Sequence, residues 1–447
     1  MSFRRLRVEE LGEVYVIHHD IDVESTQIPE FCPSRRDQNP GKAVQSACPS
    51  LVTVIDVGGD QVAQFSHFSV QEFLVWEDLR KISQDISRYH VSPPLAHAFF
   101  ARACLCVLLQ LGDSIDKTQL ENFPLASYAA EHWFGHAKYG AKSPDILAGM
   151  KCLFDKDKPH FKAWIWLYNV DKQSPESTTY PTQPDAVPLY YAALCGLLDI
   201  AKHLVHAYPE DVKARGGNHV TPLHAAVDKQ HLDVAVLLLR HGANVESRGI
   251  EGQTPLHIAS DHGYIDIVKS LIDDHGADPN AEDDGQETPL HLASKSGQEE
   301  AANALLARGA NANQRDGDGW TPLHVASQKG HVHIVQLLLD SGCMPNIDLQ
   351  DINHNTPLHI ASRHGQAVVV TTLLDRGANV EARDKQGGTP LHDASQCGHL
   401  EVVRLLLEHG ADSRARNRKG ETPFQMATRK NYSKVAQLLG KHLGEGT

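Results

Sequence analysis

The sequence predicts a mainly α-helical protein, a solenoid of about eight stacked helix-pair repeats preceded by a winged-helix-like unit and a helical bundle. Three observations carry that expectation. A short string, TPLH, returns at Thr221, Thr254, Thr288, Thr321, Thr356 and Thr389, with VPLY in phase from Val187 and TPFQ from Thr422. Successive copies stand 33 to 35 residues apart, a period that belongs to repeat architectures. Upstream of them the pattern is mixed to about residue 80 and strongly apolar at helical spacing from there to about residue 170.

Taken in chain order, LRVEELGEVYVI reads as a helix and GKAVQSACPSL as a second. LVTVIDVGGDQVAQFSH then places two β-rich runs around Gly58-Gly59-Asp60, a hairpin signal. SVQEFLVWEDL returns to helix, and helices followed by a hairpin suggest a small winged-helix-like unit over residues 1–80. SPPLAHAFFARACLCVLLQLG, PLASYAAEHWFGHAK and ILAGMKCLFDKDKPHFKAWIWLY make up the expected bundle, residues 81–170. The stretch from Leu95 to Gly112 is the most apolar, but it holds His97 and Arg102 and reads as a buried helix rather than a membrane span. DKQSPESTTYPTQPDA, from Asp171 to Ala186, is polar and proline-bearing, a linker; residues 187–447 are the repeats.

Each letter of the repeat has a physical role, shown by the copy TPLHVASQKGHVHIVQLLLDSG. Thr321 suits the N-cap, where its hydroxyl accepts a backbone N–H of the first turn. Pro322 fits the first helical position, which needs no donor. Leu323 and Ala326 face inward. Gly330 ends the first helix in a left-handed conformation. Ile334, Val335, Leu338 and Leu339 form one apolar stripe on the second helix. His324 stands three residues after the cap, where a capping box reaches back to it. A neutral imidazole has one donor and one acceptor, so it can tie this turn to the loop of a neighbouring repeat. His224, His257, His291, His359 and His392 occupy the same place. They read as fasteners, not ligands.

A period of this length with these letters is identified as the ankyrin repeat, covering Val187 to about His442. A second resemblance spans the whole chain. RRLRVEELGEV, SLVTVIDVGGDQVAQFSHFSVQEFL, YAAEHW, LFDKDKPHFKAWIWLY and PLYYAALCG look like the fungal NACHT–ankyrin proteins, in the part downstream of their NTPase. That resemblance implies a winged-helix-like unit, a helical region and ankyrin repeats in a receptor-like protein. It does not carry NTPase activity here. The Gly-Lys pairs, Gly41-Lys42 and Gly440-Lys441, precede Ala43 and His442 and lack the upstream glycine of a phosphate-cradling loop.

Composition narrows the function classes. The formal net charge is -14, about -6 before Val187 and -8 after Ala186, so neither part carries the basic footprint of a nucleic-acid module. No basic residue lies between Ser50 and Phe65, which weighs against the alternative of a nucleic-acid-binding regulator gripping phosphates with its wing. Eight scattered cysteines without a CxxC pair read as reduced core thiols. His132 and His136 have i, i+4 spacing but lack the glutamate of a zinc-protease helix. No cofactor, metal or catalytic constellation is expected, and the N-terminus has no apolar h-region of a secretory signal. The expected function is therefore a non-catalytic interaction scaffold or sensor arm. It would act in the cytoplasm or nucleus on a protein partner, with a full-length NACHT–ankyrin relative among the candidates and neither nucleic acid nor membrane involved.

Candidate partner-binding residues follow from the repeat register. The residue six before each Thr-Pro is Arg215, Arg248, Arg315, Arg383 and Arg416 in five units, a ladder suited to carboxylates. Trp320 precedes a cap and could expose its indole near a hairpin tip. The loop CMPNIDLQDINHN carries the extra residues of the 35-residue spacing and contributes Ile352, Asn353 and His354. Gln328, Lys329 and Arg363, at the ends of first helices, complete the set.

Overall fold

The computed structural model describes residues 52–57, 60–65, 93–112, 126–140, 143–171, 184–340 and 346–444. The three helices expected at 6–17, 41–51 and 69–79, and most of the expected linker, lie outside the described residues. The expected hairpin lies within them. Strands β1 (Val52–Val57) and β2 (Asp60–Phe65) pair antiparallel, with Val52 opposite Phe65 and Val57 opposite Asp60. Two residues, Gly58 and Gly59, separate the paired ends, the loop length that glycine-rich hairpin turns prefer.

The chain falls into two compact units, Met1–Ala225 and Ala226–Thr447. In the first, α1 (Pro93–Leu108), α2 (Ala126–Gly140), α3 (Pro144–Leu153) and α4 (His160–Leu167) pack on one another, and α5 (Pro188–Cys195) pairs with α6 (Leu198–Ala207). Their core is aromatic. Trp133 and Trp164 meet edge to face at 5.2 Å, and Tyr191 of α5 meets the Phe161 ring at 5.6 Å. Such pairs add to area burial only in these offset geometries. The Trp164 indole N–H is buried but donates to the Ala130 carbonyl at 2.9 Å, so its polar tip is satisfied.

The division between units falls inside α7 (Pro222–Asp228). The second unit continues with α8 (Leu232–Arg240), α9 (Pro255–His262), α10 (Ile265–Lys269), α11 (Pro289–Ser296), α12 (Glu299–Leu306), α13 (Pro322–Lys329) and α14 (Val332–Asp340). Next come α15 (Pro357–Arg363), α16 (Ala367–Asp375), α17 (Pro390–Cys397), α18 (Leu400–Glu408), α19 (Pro423–Arg429) and α20 (Ser433–Gly444). First helices pack on first helices from α9 through α19, and second helices on second helices from α10 through α20. Two helical layers result, with the apolar stripes between them. Leu323, Ala326, Ile334, Val335 and Leu338 are each at most 1% exposed, so no repeat buries its own stripe without its neighbours.

The local signals act where the sequence places them. Thr254, Thr288, Thr321, Thr356 and Thr389 are extended N-caps followed by proline at the first position. Gly330 closes α13 at φ 79°, a left-handed turn that a Cβ resists. The 34-residue spacing after Thr254 has a visible cause. The extra residue is absorbed by one π turn, Ser270–Asp274, continuing α10.

Candidate functional site

Five histidines of the second unit make the same set of bonds. Nδ1 of His257, His291, His324, His359 and His392 accepts the backbone N–H of its own cap threonine at 3.1 to 3.2 Å. The threonine hydroxyl lies 2.8 to 2.9 Å from the same nitrogen. Nε2 then reaches into the next repeat, to the carbonyls of Glu287, Trp320, Asn355, Gly388 and Glu421, at 3.0 to 3.3 Å. A carbonyl can only accept, so Nε2 carries the proton and Nδ1 is the acceptor. The neutral Nε2–H tautomer alone satisfies both ends. Burial holds His291, His324 and His359 down to about 4, and lowers His257 and His392 as well. In the first unit, Nδ1 of His224 meets its own cap hydroxyl, Thr221, at 2.7 Å.

A second fastening, which the sequence reading did not assign, sits one residue after each helix-ending glycine. Tyr264, Gln298, His331, Gln366 and His399 each donate to a carbonyl of the preceding repeat, those of Asp228, Asp261, Lys295, Gln328 and Arg363, at 3.0 to 3.3 Å. Four of these side chains, from Gln298 to His399, lie directly over the glycine of the repeat before. A Cβ at Gly365, for instance, would stand 2.6 Å from Nδ1 of His399. Repeating donors at this position were legible in the sequence; the carbonyl they meet was not.

With the histidines explained as fasteners, the outward features are the hairpins. Oδ1 of Asp283, Asp316, Asp351, Asp384 and Asn417 accepts the N–H groups two and four residues on, at 2.7 to 3.0 Å. The tips are then joined by single backbone bonds. The N–H of Asp284, Gly317, Ile352, Lys385 and Arg418 donates to the carbonyl of Glu251, Gly285, Asp318, Asn353 and Gln386 of the previous hairpin, at 2.8 to 3.2 Å. The backbone of this edge is tied rung by rung.

The candidate residues distribute unevenly over this edge. Arg315, Arg383 and Arg416 are exposed, but each donates to a carbonyl four residues on, those of Gly319, Gly387 and Gly420. Arg383 also donates to the Arg416 carbonyl. Arg248 pairs with Asp284 at 3.0 Å, and Arg215 is exposed in the first unit. The guanidinium groups of Arg248, Arg315, Arg383 and Arg416 therefore brace hairpins before they meet anything else. Trp320 is half-buried, with its indole N–H on Asp351 at 3.2 Å. Ile352 and Ile250 stand 56% and 59% exposed at two tips. Asn353 is exposed beside Ile352, and exposed His354 takes φ 61°, the left-handed position where sister hairpins place Gly319, Gly387 and Gly420. Gln328 is half-buried and Lys329 exposed at the end of α13.

Arg363 is brought into a network. Its guanidinium bonds Asp393 at 3.1 Å and the Asn355 side chain at 2.9 Å, and Asn355 in turn bonds Asp351. Trp320, Asp351, Asn355, Arg363 and Asp393 thus form one polar chain through three repeats. Asp393 was missed by sequence reasoning. Its signal was its register: the same place holds Ile258, Leu292, Val325, Ile360 and Met426 in other units. Burial pushes the Asp393 carboxyl up to about 6 against the pull of Arg363. A cleft of about 330 Å³ opens beside it, lined by Arg363, Lys419 and Arg429 and by Asp384, Asp393 and Glu421. Its balanced charges favour no simple ion.

In the first unit His136 is buried between Tyr128, 2.9 Å from its Nε2, and His97, 2.8 Å from its Nδ1; burial, then the neighbouring histidines, lower it to about 4. Among the described residues no group of three or more histidines, cysteines and carboxylates is placed to hold a metal ion. Nor is any helix among them long and apolar enough to cross a membrane.

Comparison with known proteins agrees with this geometry. A family model described as ankyrin repeats in three copies matches residues 189–283, 251–316 and 290–384. A second, ankyrin repeats in many copies, matches residues 373–427. The chain is 31% identical over 200 residues, 41% of its length, to azaphilone pigments biosynthesis cluster protein L of Monascus ruber, and covers 41% of that protein. It is 45% identical over 58 residues, 13% of its length, to alpha-latrocrustotoxin-Lt1a of Latrodectus tredecimguttatus, of which it covers 4%.

Proposed function

Residues 189–427 are ankyrin repeats, and from that premise we propose that the protein is a non-catalytic scaffold or sensor arm that captures a protein partner along its hairpin edge. The observation that carries this reading is the pair of apolar tips. Ile250 and Ile352 are large and more than half exposed; the Ile250 hairpin is bonded through its backbone to the next hairpin, and the Ile352 hairpin to those on both sides. Holding an apolar side chain in water on a rigid support favours binding, because little conformational entropy is lost when a partner covers it. Lys329, Asn353 and the exposed guanidinium groups of Arg248, Arg315, Arg383 and Arg416 supply a polar rim. Arg363 and Trp320 support that edge through the polar network, while Gln328 lends its backbone carbonyl to the fastening on the other side.

The finer identity belongs to the same proposal. The chain resembles the C-terminal part of a fungal NACHT–ankyrin receptor, and its similarity to a fungal cluster protein accords with that kinship. On this reading residues 1–80 and 81–170 are the receptor's winged-helix-like and helical regions, and the repeats of residues 187–447 supply the capture surface. A full-length relative in the cytoplasm is a natural partner. The test is affinity capture from the native source with the full chain and with Ile250→Asp/Ile352→Asp. We expect the double variant to lose its captured partner while keeping its melting temperature, because both side chains are exposed. Equal capture by both proteins would overturn the assignment of the edge.

A further inference from the structure

The last repeat departs from the one before it in a concerted way. Aligned by register, Leu391 is replaced by Phe424, Val403 by Ala436 and Leu407 by Gly440. Leu391 and Val403 are fully buried, whereas Phe424 and Ala436 are only half-buried. The outcome is a shallow cleft of about 630 Å³ between α19 and α20, floored by Phe424 and walled by Thr428, Ala436, Gln437 and Gly440. A repeat face that meets only water carries polar side chains. This face loses side-chain volume instead, and accepts a glycine within helix α20, where glycine is a poor helix former.

The charge around the cleft changes with its shape. Where the preceding second helix carries Glu401 and Glu408, α20 carries Lys434 and Lys441. These two flank Gln437 at i−3 and i+4, so all three share one helix face. Lys430, beside the cleft residue Asn431, adds a third exposed cation. Among the described residues none of the three makes an ion pair. From Ala411 to Gly444 the chain holds eight lysines and arginines against two acids, within a protein of net charge -14. An apolar slot rimmed by cations selects for carboxylates flanking an aliphatic or aromatic side chain.

We propose that this end face is a second docking site, taking an acidic amphipathic protein segment with its apolar anchor over Phe424 and its carboxylates on Lys430, Lys434 and Lys441. The proposal rests on the reading of the protein as an interaction scaffold and adds a surface distinct from the hairpin edge. Two outcomes compete with it: a second copy of the chain stacked on the same face, and a nucleic-acid strand drawn by the cations.

The test is fluorescence anisotropy of the full chain with a short labelled helical peptide bearing leucines on one face and glutamates elsewhere. Controls replace the glutamates by glutamine or the leucines by alanine. Two variants probe the two halves of the site, Lys434→Glu/Lys441→Glu for the rim and Gly440→Leu for the slot. A Cβ at Gly440 would meet the Phe424 ring at 3.5 Å, an ordinary contact, so leucine fills the slot without displacing backbone. We expect saturable binding that weakens with salt and falls about tenfold or more with either variant or either control peptide. Gly440→Leu should melt no lower than the parent, so its loss would not reflect unfolding. Unchanged binding by either variant, or by the alanine peptide, would overturn the proposal. So would a salt-sensitive preference for a DNA oligomer over the peptide, or concentration-dependent self-association that Gly440→Leu abolishes. The tip variant Ile250→Asp/Ile352→Asp is read separately, so the end face can fail while the hairpin edge stands, and the reverse.

Discussion

At the residue scale, the positions that decide function are those where one repeat departs from its sisters. His354 occupies a left-handed turn, φ 61°, that four sister hairpins fill with glycine and one, at Gln286, with another L residue. An L residue with a Cβ is strained there by about 1 kcal/mol. His354→Gly should therefore raise the urea midpoint, the relief of strain being reduced but not cancelled by glycine's greater freedom when unfolded. If partner capture falls in the same variant, the imidazole contacts the partner; no stabilisation at all would contradict the strain. Much at this scale was legible beforehand. Thr321, Pro322, His324 and Gly330 do what their chemistry and spacing prescribe, since capping depends on only a few neighbouring residues. Asp393 was not legible, because its meaning lies in Arg363, 30 residues away, and in the burial that only the packed array supplies.

At the element scale, each helix pair is bound to the next by two fastenings rather than one. The cap histidine secures the hairpin side, and the residue after the helix-ending glycine secures the other. At four of the five junctions the second fastening lies over a glycine, where a side chain would collide with it; at the junction made by Tyr264, Gln230 holds that place at φ 58°. Gly365→Ala would bring a Cβ within 2.6 Å of the His399 ring and hold φ 72° with an L residue. We expect a loss of about 1–3 kcal/mol, with amide exchange quickening across α15 to α18. Exchange unchanged in those helices would show that the close approach is not needed. The hairpin β1–β2 and the four helices α1–α4 follow from alternation and apolar spacing. The single π turn after α10 does not, because an extra residue could equally have lengthened a loop.

At the scale of the whole molecule, the histidine fastenings make stability depend on pH in a predictable direction. His257, His291, His324, His359 and His392 all titrate below the ordinary value of 6.5 in the folded protein. The unfolded chain therefore takes up protons first. Stability is fully present above about 6.5 and lost as pH falls toward about 4. For His291, His324 and His359, held at about 4, the shift is worth on the order of 3 kcal/mol each. Asp393 works the other way, its contribution waning as pH rises through about 6. One carboxyl does not offset five imidazoles, so urea midpoints should fall steadily on acidification from neutral pH; a flat profile would contradict this. The composition, net charge and repeat period pointed to a scaffold without naming what it binds, because ankyrin surfaces are read by side chains and not by a code. Everything rests on imidazoles that fasten and do not react. The most direct measurement is long-range proton–nitrogen NMR of the histidine rings across that range. The five cap histidines should appear as neutral Nε2–H tautomers and show no protonation as pH passes through the ordinary histidine value. Nδ1–H tautomers, or titration of these rings near 6.5, would contradict the account.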